Sequence, residues 1–513
     1  MAERLSFSRL WADRREARVQ VLALICIFTV LRLIEAAVMG LGTDESYTVA
    51  VSRDLHLSYF DHPPVHYWLV HFLSPVLGYG RGSRVPFILL FAGSTWLMFR
   101  LGRRLFGERA GLWAAVALSL TGFFSVAAGD WVLPDGPLIF FLLAAANALA
   151  DGWFADADVS PNPLRTWLWA GFWIGLAALS KYQAALFCVG LGLYLLSEKD
   201  RRRDLLTPGP YMAAILTLLV LTPVLVWNAQ HHFASFAFQG ARGVPNKLHP
   251  TGPLEALGGQ AALLLPWLFV PAVIVAWRAA RSGPANPRAW FCLMLAAPAV
   301  ILFTLEPLIG PKSLPHWSMP GWLFVFPLIG VWAAQASEAG KRWPRHWAIV
   351  STAILIVVGG LALDEAAVGW LGPTFPKQFK KGDPTAEAIE WSGLKDGLTR
   401  QGLLAPGQFV VAVKWNEAGK IDEALKGDPP VYVFSNDPRE FAFRGDPAAL
   451  VGHDALIIGR PDSVKGHMAE VSRYFQSTTV AAPVAIGRSG RDEIDLAVVR
   501  AHKLLRPYPR NGL

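Results

Sequence analysis

This chain is short of charge. Only 17% of its 513 residues are Asp, Glu, Lys or Arg, against roughly 25% in an ordinary soluble domain. The charges that exist sit in short runs between long apolar stretches, and 53% of all residues are hydrophobic. That distribution excludes a single water-soluble globule and fits a bilayer protein, in which about 20 apolar residues cross the hydrocarbon. Cysteine is also scarce. Cys26, Cys188 and Cys292 fall inside apolar segments without metal-type spacing. This excludes a disulfide framework, and each is expected to be a small buried residue. Internal repeats and low-complexity tracts are absent. The net charge of +8 does not point to nucleic acid, because the basic residues stand between apolar spans, where they set topology.

About eleven spans are expected, over 19–39, 84–99, 110–128, 133–150, 167–179, 182–196, 211–227, 260–275, 289–303, 321–334 and 347–363. The first has no small-residue cleavage site and is followed by others, so it is expected to be an anchor and not a removed signal. With the N-terminus inside, the inside segments hold clusters such as Arg100, Arg103, Arg104 and Arg109, or Lys199, Arg201, Arg202 and Arg203. The outside loops between spans hold only Arg53, Arg81, Arg84, Lys181, Arg242, Lys247 and Lys312. Basic residues favour the cytoplasmic side, so an odd number of spans places the C-terminal segment outside. From about residue 364 the chain turns polar. Strand-like runs at 409–414, 431–434, 455–458 and 494–499 alternate with helix-like stretches at 385–400 and 463–474. The expected fold is therefore an α-helical polytopic membrane region over 1–363, followed by a small α/β soluble domain over 364–513 with a partly parallel sheet. At about 150 residues the latter is long enough to bury its own core.

Residues able to do chemistry collect on the outside loops. The first loop opens Gly42-Thr43-Asp44-Glu45-Ser46-Tyr47. Either Thr43 or Asp44 caps a short interfacial helix, with the acids at its positive end, or the pair Asp44 and Glu45 supplies a general base at the edge of a dry cavity. The loop continues Tyr59-Phe60-Asp61-His62-Pro63-Pro64-Val65-His66. Its prolines present Asp61 and His62 on a stiff turn, as metal ligands, phosphate partners or a hydrogen-bonded structural pair. In the next loop Asp135 lies between Pro134 and Pro137. It is either a helix cap or a second carboxylate facing the same cavity as Asp44. Lys181 interrupts an apolar stretch, where an ionisable residue either snorkels outward or serves a partner such as a phosphate. His231 and His232 are adjacent, too close to chelate one metal as a helical pair does, although one of them can pair with a distant carboxylate. Arg242, Lys312 and His316 add polar groups on the same face.

The ordered set resembles the GT-C superfamily of polyprenyl-phosphate-sugar-dependent glycosyltransferases. It is similar to protein mannosyltransferases, to lipid A aminoarabinose transferases and to rhizobial galacturonic acid transferases. The motifs carrying the resemblance are Asp44-Glu45, Tyr59-Phe60-Asp61-His62-Pro63-Pro64, Leu133-Pro134-Asp135-Gly136-Pro137, Leu179-Ser180-Lys181-Tyr182, and Trp227-Asn228 with Ser235-Phe236. In the polar tail, Trp415-Asn416-Glu417-Ala418-Gly419 and Pro429-Pro430-Val431-Tyr432-Val433-Phe434 match the soluble domain of bacterial members.

The resemblance implies a polyprenyl-phosphate sugar donor and an acceptor hydroxyl or phosphate on an envelope glycolipid such as lipid A. It also implies a bacterial inner-membrane location with active site and C-terminal domain periplasmic. It makes Asp44 the catalytic base, beside Glu45, and Asp135 the second-loop acid. Asp61 matches an acidic residue near a bound metal in aminoarabinose transferases. A divalent metal is thus a candidate cofactor, with Asp61, His231 and His232 as candidate ligands. The residue after that acid is lysine in those enzymes and His62 here. Tyr59, His62, Lys181, Tyr182, Arg242, Lys312 and His316 are the candidate substrate contacts. The leaving phosphate needs nearby cations and hydrogen-bond donors. It departs as a stable anion, so no general acid is obligatory, unlike in glycosidases. The rival expectations are a lipid or sugar flippase, which tends to hold its charges near the midplane, and a non-enzymatic assembly factor. A protein Ser/Thr is the alternative acceptor.

Overall fold

The computed structural model describes residues 7–155, 162–245, 247–310, 313–379 and 385–509, so Lys312 lies outside the described residues. Within them, six helices are long and apolar enough to cross a membrane: Arg15–Val38, Gly80–Phe106, Asp135–Trp153, Pro287–Leu308, Pro315–Glu338 and Trp343–Val368. Two bent pairs raise the number to as many as eight. Ile356, Val357 and Val358 are exposed on the last of these helices, a surface suited to hydrocarbon and not to water.

The eleven expected spans are not matched one for one. The stretch 110–128 falls on a helix of 12 residues, Glu108–Ser119, and a single turn, Gly122–Ser125. The stretches 167–179 and 182–196 lie in helices of 16 and 14 residues. The stretch 260–275 is broken: Gly252–Leu264 and Pro266–Ala285 are bent by 111°. Leu265 at the break has φ +72°. Pro266 has no N–H to continue the helical ladder, and it drives the preceding residue out of the α conformation. Of the cysteines, only Cys292 is buried; Cys26 and Cys188 are exposed.

The chain divides into two compact units. The first comprises Met1–Leu33, Phe87–Val226 and Phe236–Val357. Its core packs Phe91, Met98, Leu101, Leu142, Phe291 and Phe324 between helices. Close helix approach rests on small residues: a Cβ at Gly102 would lie 2.8 Å from the Cα of Gly111. Small side chains are what allow helices to pack tightly where the hydrophobic effect does not separate protein from lipid.

The second unit comprises Ile34–Pro86, Trp227–Ser235 and Val358–Leu513. Its sheet has six strands: β1 Phe409–Ala412, β2 Val431–Val433, β3 Ala455–Gly459, β4 Phe475–Val480, β5 Val484–Arg488 and β6 Arg491–Leu504. They are ordered β2-β1-β3-β6-β4, with β5 also paired to β6. β1 runs parallel to β2 and β3, while β6 runs antiparallel to β3, β4 and β5. The partly parallel sheet expected from the sequence is thus present. β1 and β3 are buried along their whole length, which is why they read as unbroken apolar runs.

One sheet face packs Val410, Leu456 and Val498 against Leu394, Ile421 and Leu425, and the same core takes in Tyr47, Ala50, Tyr59 and Tyr67 from the first loop. Helix Trp415–Leu425 lies so close to helix Thr43–Val51 that a Cβ at Gly419 would stand 2.6 Å from the backbone N of Tyr47. The polar tail and the first loop therefore share one core.

Candidate active site

The acidic motif starts a helix, Thr43–Val51, directly after Gly42. Acids are favoured there by the unpaired amides and the positive end of the helix. The two neighbours have different fates. Glu45 Oε2 accepts the Gly42 N–H at 2.7 Å. It also makes a bidentate pair with Arg84, Nε to Oε1 at 2.8 Å and Nη2 to Oε2 at 2.6 Å. Both side chains are buried, 0% exposed for Arg84 and 2% for Glu45. Arg84 also donates to the carbonyls of Met39 and Gly40 at 2.8 and 2.9 Å. The N-cap is thus Gly42, not Thr43 or Asp44, and the capping hydrogen bond comes from Glu45. Arg84, counted in the sequence as a loop charge, is the buried partner that fixes it.

Asp44, one position earlier, remains exposed. The protein packed round it still withdraws part of its hydration, and the charges of Asp61, Glu387 and Glu45 repel its own. Together these raise its pKa above the usual carboxylate value, against the opposing pull of Arg439. A carboxylate that is accessible and more basic than usual is suited to take a proton.

Asp61 is buried. Its Oδ1 accepts the hydroxyls of Tyr47 and Tyr67, each at 3.0 Å, and its Oδ2 lies 3.6 Å from Nη1 of Arg439. Tyr59, expected as a substrate contact, is buried; its hydroxyl donates to the carbonyl of Asp54 at 2.9 Å, and its ring lies 4.0 Å from that of Tyr67. It shapes the loop. His62 meets His66 edge to face, with ring centroids 5.7 Å apart. His231 stacks on Trp227 at 4.3 Å, and its Nδ1 lies 2.8 Å from that residue's carbonyl oxygen. His232 is exposed, with φ +52°.

Among the described residues no group of three or more His, Cys, Asp or Glu is placed to hold a metal ion. Asp61, His231 and His232 as arranged do not fit a metal centre. Asp61 is committed to two tyrosines and faces an arginine, and His231 is stacked on a tryptophan.

The first unit contains a second cluster. Asp135 begins helix Asp135–Trp153 after Pro134. Lys181 stands between helices Pro163–Ala178 and Ala184–Ser197. Its Nζ donates to both carboxylate oxygens of Asp135, at 2.9 and 2.8 Å. The side chains are 6% and 5% exposed. Lys181 therefore neither snorkels nor stands as a lone cation; a buried charge is tolerated because it is paired. His316 lies parallel to Phe123 with centroids 6.1 Å apart. The Arg242 guanidinium lies 4.5 Å from the Phe238 ring and 5.9 Å from that of Trp317. Tyr182 meets Phe236 edge-on at 5.7 Å.

Sequence reading passed over Arg32, inside the first apolar stretch. It is buried, donates to the carbonyl and hydroxyl of Ser125 at 2.9 and 3.0 Å, and lies 4.3 Å from the Phe91 ring. A charge within an apolar span was the available signal.

Residues 61–227 match the family model for dolichyl-phosphate-mannose-protein mannosyltransferases. A curated relative, the lipid A galacturonosyltransferase RgtD of Rhizobium johnstonii, is 23% identical over 315 residues, covering 59% of this chain. The chain spans 61% of that relative's length. The crystal structure of ArnT from Cupriavidus metallidurans bound to undecaprenyl phosphate superposes with a TM-score of 0.66 at 17% identity, over 93% of this chain and 97% of that one. Its apo state gives 0.64, also at 17% identity, over 94% and 98%. The chain has the fold of those crystal structures, and its matched segment lies in the membrane region, both in agreement with the GT-C resemblance read from the motifs.

Proposed function

We propose that this protein transfers a sugar from a polyprenyl-phosphate donor to a hydroxyl or phosphate on an envelope glycolipid, at the periplasmic face of a bacterial inner membrane. The observation that carries the reading is the contrast on one helix turn: Glu45 locked by Arg84, and Asp44 accessible with a raised pKa. The name of the curated relative supports a lipid A acceptor. The undecaprenyl phosphate in the structural relative supports a lipid-linked donor.

For an acceptor hydroxyl, Asp44 takes the proton as the oxygen attacks C1 of the sugar. The new C–O bond forms as the bond from C1 to the phosphate oxygen breaks, with inversion. Polyprenyl phosphate leaves as an anion and needs donors and positive charge, not a general acid. His62 is assigned to the substrate in the unit that carries Asp44, and Arg242, His316 and Tyr182 are the candidate phosphate contacts of the first unit. Lys181 acts as one half of a neutral pair with Asp135, so it orients through hydrogen bonds and contributes little net charge. Glu45 holds the helix.

The test uses the full chain in detergent, a panel of polyprenyl-phosphate sugars and an envelope-lipid extract. The expected result is release of polyprenyl phosphate from one donor, with its sugar recovered on a glycolipid. Sugar recovered on protein would replace the acceptor. Movement of intact donor lipid between leaflets of a vesicle, without release, would overturn the transferase reading.

A further inference from the structure

Two charged residues of the polar tail are buried against the first loop in a way that substrate binding does not explain. Lys420, on helix Trp415–Leu425, donates from its Nζ to the carbonyl oxygens of Leu41, Glu387 and Ile389, the last two at 2.6 and 3.1 Å. An ammonium has three N–H groups, and all three are spent on backbone. Leu41 is the residue before Gly42, so this contact holds the entry to the helix bearing Asp44.

Glu440 does the same at the other end of the loop. Its Oε2 accepts the N–H of Phe60 at 2.6 Å, and its Oε1 lies 2.8 Å from Nδ1 of His56. Its own N–H donates to the Tyr47 hydroxyl at 3.0 Å, and that hydroxyl donates onward to Asp61. The preceding residue, Arg439, has φ +52°, a conformation that side-chain-bearing residues adopt only when their surroundings hold them.

Burying a lysine and a glutamate is costly unless every polar atom is served. Here the partners that serve them are mostly backbone groups of the loop and its immediate supports. We propose that the soluble tail is a positioning element of the acidic site, with Lys420 and Glu440 as the two clamps that fix the segment from Leu41 to Asp61. This rests on the reading of Asp44 as base. The tail is then part of the catalytic apparatus without touching substrate.

The experiment compares full-length wild type, Lys420→Met, Glu440→Gln and Asp44→Asn, with Lys420→Arg as the conservative variant. Amide hydrogen exchange over residues 41–48 and 58–62 is read beside kcat and KM. The clamps predict local exchange faster by about tenfold or more, mainly over 41–48 in Lys420→Met and over 58–62 in Glu440→Gln. They also predict a kcat lower by about tenfold to hundredfold with KM nearly unchanged, and partial recovery of both in Lys420→Arg. Wild-type exchange in either folded variant, or a loosened loop with unchanged kcat, would overturn the proposal. Should Lys420→Met fail to fold, Glu440→Gln carries the same comparison. Full activity in Asp44→Asn would remove the base reading alone, because the exchange data still decide the clamps.

Discussion

At the scale of single residues, Asp44 and Glu45 show what a sequence holds and what it hides. The motif announces two acids at a helix start, and both a capping and a catalytic reading suit it. What separates them is Arg84, distant in sequence, whose guanidinium takes both oxygens of Glu45. No local pattern predicts that partner. The proposed base must be ionised to take a proton, so kcat/KM should fall as the pH drops through the raised pKa of Asp44. Glu387 raises that pKa by charge repulsion, while the hydrogen bond it accepts from Lys420 goes to its backbone carbonyl. Glu387→Gln should therefore move the acid limb of the pH profile to lower pH and keep the loop in place. A limb that stays fixed or moves upward would contradict the assignment.

At the scale of elements, hydropathy located the helices better than it located their ends. The run 260–275 is apolar after Gln260, yet its helix breaks at Pro266. In the sheet, β1, β2, β3 and part of β6 were legible because they are apolar and short. β4 and β5 were not, because much of their surface is exposed and their sequences are correspondingly mixed. Asp135 and Lys181 were both singled out, but their union depends on the packing of three helices and is not written in either loop. That union has a stability signature. Replacing Lys181 by Met leaves a buried carboxylate without its ammonium and should cost about 3–5 kcal/mol. The double variant Lys181→Met with Asp135→Leu should cost clearly less than either single change. Unfolding measured in detergent for the two singles and the double provides the check, and additive losses would show that the pair is not coupled.

At the scale of the whole molecule, the apolar runs pointed to a membrane protein, the alternation of strand-like and helix-like runs to a polar α/β tail, and the order of motifs to the GT-C resemblance. The tail's dependence on the first loop was not legible. The strand pattern begins near residue 409, and nothing in it shows that Tyr47, Tyr59 and Tyr67 complete the same core. The surroundings of Asp61 and His231 were hidden for a related reason: the sequence does not show that two tyrosines hold the first and that Trp227 stacks on the second.

The central claim is that Asp44 is the base of a lipid-linked sugar transfer. Because Asp44 is exposed, Asp44→Asn keeps the size of the side chain and should leave the fold intact. The most direct measurement is the initial rate of polyprenyl-phosphate release by equal amounts of folded wild type and Asp44→Asn, with the donor and acceptor that the wild type uses. The account predicts a rate lower by roughly 10²–10⁴-fold in the variant; an unchanged rate would contradict it.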